Sequence, residues 1–130
     1  MRRILIVEND RFAQALLRDL LNYLGYDHVC TEHGAEALAV LECTQTIHLV
    51  ITDLHMPVMD GLALLEALQG HPVWHTIPAI LVSGRLTEDL VQRAFKAGAK
   101  KVIPKPYDFR TLAGAIAQVL AEASPDEGMR

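Results

Sequence analysis

The sequence contains no apolar run that approaches the length needed to cross a lipid bilayer. At its amino terminus, Met1-Arg2-Arg3 is followed by only four apolar residues and then by Glu8-Asn9-Asp10. A secretory signal peptide would stay apolar for longer. We therefore expect a cytoplasmic protein with no membrane partner.

The chain is also poor in cysteine and in clustered positive charge. Its two cysteines, Cys30 and Cys43, do not form a C-x-x-C pair and lie among apolar residues, which favours buried free thiols. The net charge is −4, and lysine and arginine gather in no stripe along one predicted face. These features argue against a surface that binds nucleic acid directly.

Five short apolar runs are spaced along the 130 residues, a length that suits one domain with its own core. They lack the in/out alternation of a strand with one solvent face. Continuous runs of this kind are typical of parallel strands covered on both faces. The runs are residues 4–7, 28–30, 49–51, 79–82 and 101–103.

Stretches with helical periodicity lie between and after these runs. The first ends at Gly25, and Asp10, Asp60 and Asp108 are placed to cap the first, third and fifth helices. Strand and helix thus alternate five times, which predicts a doubly wound α/β domain, an open parallel sheet with helices on both faces. We place this domain at residues 1–123 and interpret residues 124–130 as a tail or the start of a linker.

Polar residues follow the predicted strands where each strand ends. In a doubly wound sheet the ligand site lies beyond the carboxyl ends of the strands, so these side chains are expected to converge on one edge. A carboxylate there can act as a nucleophile toward phosphorus, and Mg²⁺ prefers oxygen ligands. A lysine and a hydroxyl can bind phosphoryl oxygens. The converging residues are Glu8, Asn9, Asp10, Asp53, Ser83 and Lys105.

Several motifs resemble the receiver domains of response regulators in two-component signalling. They are the stretch at residues 4–10, the segment Asp53-Leu-His-Met-Pro-Val-Met-Asp-Gly61, Ser83-Gly84, Ala97-Gly-Ala and Lys105-Pro106. The resemblance covers residues 3–121. It implies a flavodoxin-like sheet with strand order 2-1-3-4-5. It also implies a phospho-accepting switch rather than an enzyme that turns over a diffusible substrate.

The resemblance assigns roles to individual positions. Asp53 matches the phosphoacceptor, and Glu8 matches the first of two acids that hold Mg²⁺. The main-chain carbonyl of His55 matches a further metal ligand. Ser83 matches the hydroxyl that turns toward the phosphoryl group, and Lys105 matches the lysine opposite it, with a cis bond to the following proline.

Two positions depart from the family pattern. Asn9 stands where the second metal-binding acid is expected. The ligand at this position would therefore be an uncharged amide oxygen. Asp10 is the next acid and is expected to cap the first helix instead. Val102 stands where the family usually has an aromatic switch residue, and valine has no ring to rotate.

The departures leave two hypotheses open. In the first, a histidine kinase or histidine phosphotransfer protein phosphorylates Asp53, and a face around the fourth helix, fifth strand and fifth helix switches its binding to a downstream effector. In the second, the chain is a phosphate-independent interaction module, a pseudo-receiver. The resemblance also allows a homodimer through the same face.

Enzymatic alternatives find little support. A nucleotide-binding domain would need a glycine-rich turn after the first strand, and residues 7–12 contain no glycine. An aspartate-nucleophile phosphatase would want an acid two residues after Asp53, where His55 stands. His71 and His75 have a spacing that can bind metal on a helix. Pro72 and Pro78 make a regular helix there improbable, so we expect surface histidines.

Overall fold

The computed structural model of the protein describes residues 2–43 and 46–123. Strands and helices alternate along this part of the chain as the sequence predicts, and the predicted tail at 124–130 lies outside it. The strands are β1 (Arg3–Val7), β2 (Asp27–Thr31), β3 (Leu49–Asp53), β4 (Ala79–Ser83) and β5 (Ala99–Pro104). The helices are α1 (Arg11–Leu24), α2 (Gly34–Cys43), α3 (Gly61–Gln69), α4 (Glu88–Lys96) and α5 (Phe109–Ala123), with a short 3-10 turn at Trp74–Thr76.

All strand pairs are parallel, and their order is β2-β1-β3-β4-β5, which confirms the prediction. Each of the five apolar runs lies within one strand. Asp53 is opposite Val82, and Ser83 is opposite Pro104. The carboxyl ends of β3, β4 and β5 therefore meet at one edge of the sheet.

The first strand explains why the apolar runs are continuous. Ile4 and Ile6 pack on the side of α1 and α5, whereas Leu5 and Val7 pack on the opposite side with α2, α3 and α4. All four side chains are fully buried. Each such burial contributes about 1.5–3 kcal/mol. A sheet covered on both faces thus needs apolar side chains at consecutive positions.

Side-chain caps fix where the helices begin. Asp10 and Asp108 accept main-chain N–H bonds of 2.8 Å at the first turns of α1 and α5, and Asp60 accepts one of 2.9 Å at α3. All three predicted caps are confirmed, and Gly25 ends α1 with a φ of +85°. The bond from the Thr111 N–H lowers the pKa of the Asp108 carboxyl from its ordinary value. Within the described residues, no helix has the length and apolar character of a membrane span.

The expectation that both cysteines are buried is wrong for Cys43. This residue ends α2 and is exposed, whereas Cys30 in β2 is half-buried and its thiol pKa is raised by that burial. Alanine, valine and leucine occur on every side of α2. Its periodicity therefore does not mark which side faces solvent.

The loop between β3 and α3 contains backbone strain at Val58. Its φ of +67° lies in the left-handed region, where a β-branched residue is disfavoured. The Met59 N–H donates to the Pro57 carbonyl at 2.7 Å and so closes a γ-turn around Val58. The turn leaves the Val58 side chain pointing into solvent, 80% exposed.

The same loop contacts the start of α2. The main-chain oxygen of Met59 accepts the Gly34 N–H at 3.1 Å. The Met59 side chain fills the space beside Gly34, since a β-carbon at that position would lie 2.6 Å from Met59 Cγ. Glycine at position 34 thus allows the loop to pack directly against the backbone of α2.

Val58→Asn is expected to raise the free energy of unfolding by ~1 kcal/mol, because asparagine tolerates the left-handed region better than valine. Little packing is lost, since the valine side chain is largely in solvent. Urea denaturation measures the difference. The control is Val73→Asn, at a valine that is 66% exposed with an ordinary φ of −106°. Equal effects of the two substitutions would contradict the assignment of strain to Val58.

Candidate functional site

The four side chains expected to form the site lie at the carboxyl edge of the sheet. Glu8 follows β1 directly, Asp53 is the last residue of β3, Ser83 is the last residue of β4, and Lys105 follows β5 directly. The convergence that the sequence predicts is therefore present. The structure then defines which of these groups touch.

Lys105 joins the two carboxylates. Its Nζ lies 2.6 Å from Glu8 Oε1 and 3.7 Å from Asp53 Oδ1. The Glu8 side chain is only 1% exposed, so its charge requires a partner, and Lys105 supplies it. Its second oxygen, Oε2, accepts the Asp10 N–H at 3.1 Å. The ammonium thus sits between a buried acid and the acid at the end of β3.

Asp53 is the more accessible of the two acids. Its side chain is 13% exposed, and Oδ1 accepts the Leu54 N–H at 2.8 Å. That bond fixes the carboxylate at the end of the strand. Asp53 is therefore the carboxylate that a reagent arriving from solvent can reach.

Ser83 is fully buried and ties β4 to the following segments. Its hydroxyl oxygen accepts the Arg85 N–H at 3.1 Å, and its main-chain oxygen accepts the Lys105 N–H at 2.9 Å. The second bond fixes the backbone from which the Lys105 side chain reaches the carboxylates. The predicted cis bond between Lys105 and Pro106 is confirmed.

The donor set suits Mg²⁺ better than a transition metal. Glu8 and Asp53 offer carboxylate oxygens, while the exposed Asn9 and His55 offer amide and carbonyl oxygens. Magnesium uses one or two carboxylates and keeps several waters, so two acids suffice. Among residues 2–43 and 46–123, no three His, Cys, Asp or Glu side chains gather into a group that could hold a metal. A bound Mg²⁺ would therefore take neutral oxygen donors, including water, beside these two acids.

The fifth strand has a valine at the position where the resemblance implies an aromatic switch residue. Val102 is half-buried and packs against the core on the α4 side. Tyr107, after the cis proline, packs on the α5 side, and burial together with the negative charge of Glu8 raises the pKa of its hydroxyl. Tyr107 is thus a packing residue whose hydroxyl lies within the electrostatic influence of Glu8.

The two histidines with helical metal spacing are structural. His71 stacks on Trp74 with ring centroids 3.7 Å apart, and its Nδ1 accepts the N–H groups of Val73 and Trp74 at 3.0 Å each. The exposed His75 donates its Nδ1–H to the His71 carbonyl oxygen, 2.9 Å away. The expectation of surface histidines is confirmed for His75, whereas His71 is half-buried.

One contact at the site was missed by sequence reasoning. The side-chain amide of Gln14, in the first turns of α1, hydrogen-bonds the main-chain oxygen of Glu8. The same nitrogen lies 3.5 Å from the main-chain oxygen of Thr31 at the end of β2. A glutamine four residues after a helix cap carries no distinctive signal, so only the structure reveals this bridge.

The strand order, the helices on both faces and the site at the carboxyl edge define a flavodoxin-like doubly wound domain. The family model of the response regulator receiver domain matches residues 4–117. The chain belongs to this family.

Individual relatives agree with this assignment. A probable chemotaxis protein CheY of Rhizobium etli is 32% identical over 117 residues, which cover 90% of this chain and 91% of that protein. The transcriptional regulatory protein CpxR of Escherichia coli K12 is 32% identical over 92% of this chain but only 50% of its own length. The receiver domain of a signal transduction histidine kinase from Syntrophus aciditrophicus superposes with a TM-score of 0.87 at 34% identity, covering 94% of this chain and 92% of that one.

Proposed function

We propose that the protein accepts a phosphoryl group on Asp53 from a phosphohistidine of a histidine kinase or histidine phosphotransfer protein. One observation carries the proposal: the accessible Asp53 carboxylate lies 3.7 Å from an ammonium that is already held at the site by Glu8. Such an arrangement offers a nucleophile and a fixed positive charge for the phosphoryl oxygens.

In the proposed step, an Asp53 carboxylate oxygen attacks phosphorus and the bond between phosphorus and the histidine nitrogen breaks. The imidazole leaves with the electron pair and takes up a proton. Lys105 Nζ shifts from Glu8 toward the phosphoryl oxygens, and the Ser83 hydroxyl donates to one of them. Bound Mg²⁺ would neutralise charge on the phosphoryl oxygens, held by Glu8, Asp53, the His55 carbonyl and the Asn9 amide oxygen.

The phosphorylated state is proposed to change the partner-binding face formed by α4, β5 and α5. Phosphorylation can shift this equilibrium only through contacts that differ between the two states. With Val102 in place of a ring, those contacts run through Ser83 and the segment that leads to α4. A downstream effector, a homodimer through this face, a cytoplasmic location and the absence of enzymatic turnover belong to the same proposal.

Beryllofluoride or acetyl phosphate with Mg²⁺ tests the phosphoacceptor. Wild-type protein is expected to respond, as amide shifts around Asp53 with beryllofluoride and as a mass gain of one phosphoryl group with acetyl phosphate. Asp53→Ala removes the nucleophile and is expected to abolish both responses. Asp19→Ala, at an exposed aspartate of α1, is the matched control and should behave as wild type. A wild-type protein that responds to neither reagent, or an Asp53→Ala variant that still responds, would contradict the proposal.

Asn9 and Val102 favour a second candidate, a phosphate-independent interaction module. It predicts that high Mg²⁺ leaves the amide spectrum unchanged and that a partner binds wild type and Asp53→Ala equally. The pairing of Lys105 with Glu8 offsets the buried negative charge without a metal ion, which is compatible with this candidate.

A further inference from the structure

The first turns of α1 carry a glutamine, Gln14, whose side-chain amide contacts the backbone at the carboxyl ends of β1 and β2. Gln14 is half-buried on α1, and its amide nitrogen reaches back to the main-chain oxygen of Glu8. The pairing of β1 with β2 ends just before this point, at Val7 and Thr31. The Gln14 side chain thus donates a hydrogen bond to a main-chain oxygen just beyond the end of the β1–β2 pairing.

The bond acts on the backbone that presents the metal ligands. Glu8 N donates to Thr31 O at 2.9 Å, and Gln14 lies against both carbonyl oxygens. The carbonyl oxygen of the Glu8–Asn9 peptide is therefore held by a hydrogen bond, which fixes the orientation of this peptide. Because that plane sets where the Glu8 carboxylate and the Asn9 amide point, its orientation decides whether both reach one ion.

We propose that Gln14 is a positioning residue that sets the Mg²⁺ affinity of the site by fixing the Glu8–Asn9 peptide. The proposal rests on the proposed function, since it concerns the same metal. The orientation of this peptide matters more at a site with one acid and one amide than it would at a site with two adjacent acids. A neutral amide ligand gains little from long-range attraction, so its placement has to be right before the ion arrives.

Gln14→Met tests the proposal with a side chain of similar length that cannot donate. Mg²⁺ affinity, measured by titration of the Asn9 and Asp10 amide shifts, is expected to fall about tenfold, in the range found for partners behind metal ligands. Gln14→Asn is too short to span the gap and should behave as the methionine variant, which also covers the case that Gln14→Met does not fold.

The control is Gln118→Met on α5, where the amide donates to Glu122 at 3.3 Å in a solvent-exposed pair. It should leave Mg²⁺ affinity unchanged.

Thermal unfolding of each variant separates positioning from mere stabilisation, because a purely structural role would lower Tm and leave the Mg²⁺ titration as in wild type. Unchanged Mg²⁺ affinity in Gln14→Met and Gln14→Asn overturns the proposal. If wild type binds Mg²⁺ and beryllofluoride normally in that case, the proposed function stands. If wild type binds neither, the proposed function fails, and this inference fails with it.

Discussion

Asn9→Asp is expected to tighten Mg²⁺ binding about tenfold to a hundredfold, which corresponds to ~1–3 kcal/mol for a carboxylate placed beside a divalent ion. The site has two carboxylates, Glu8 and Asp53, and Lys105 offsets one of their charges. A third acid at the exposed position 9 can turn to the ion without being buried. Titration of the amide shifts with Mg²⁺ at constant ionic strength measures the change.

The chain offers a matched control for this substitution. Asn22→Asp adds the same charge at the opposite end of α1, where Asn22 contacts His28 at 3.0 Å. At ordinary ionic strength, exposed charges that far apart are screened, so Mg²⁺ affinity should stay as in wild type. If both variants bind more tightly by the same factor, the effect is general attraction and Asn9 is not at the metal. If neither changes, the expected geometry is wrong.

Gly61→Ala is expected to lower the free energy of unfolding by ~3 kcal/mol or more, because an added β-carbon has no room. It would press on the main-chain oxygen of Asp53 and lie 2.9 Å from Leu81 Cδ1 and 3.0 Å from Leu54 Cα. Two of these three neighbours are backbone, which cannot rotate away. The substitution therefore forces the first turn of α3 away from the end of β3, and with it the Asp53 backbone.

Gly114→Ala is the control, since Gly114 lies in the middle of α5 and a β-carbon there meets nothing within 4 Å. Alanine in an exposed helix interior is expected to stabilise by ~1 kcal/mol. The two Gly→Ala changes should thus have opposite signs in urea denaturation. A Gly61→Ala protein as stable as wild type would contradict the close packing between the start of α3 and the end of β3.

The fold and the convergence of Glu8, Asp53, Ser83 and Lys105 on one edge of the sheet could be predicted because both depend on local pattern. Continuous apolar runs specify buried parallel strands, and a polar residue at the end of such a run has to lie at the carboxyl edge. Asp10 illustrates a finer success, because its place before the first helical stretch predicted a cap that the structure contains.

Side-chain partners could not be predicted, because they depend on angles that no local pattern encodes. The sequence places Lys105 opposite the acids but does not tell that its shortest contact is with Glu8 rather than Asp53. Likewise the left-handed Val58 contradicts the preference of valine and is imposed by the fit of its loop between β3 and α3. Asp53 as phosphoacceptor and the ligands of the metal remain predictions.

The packing of Met59 on Gly34 ties the loop between β3 and α3 to the first turn of α2 by direct contact with the helix backbone. Any side chain at position 34 would have to displace Met59, and with it the main-chain oxygen that accepts the Gly34 N–H. A displacement of this loop, which follows Asp53 in the chain, would therefore also disturb the start of α2, the helix that follows the edge strand β2.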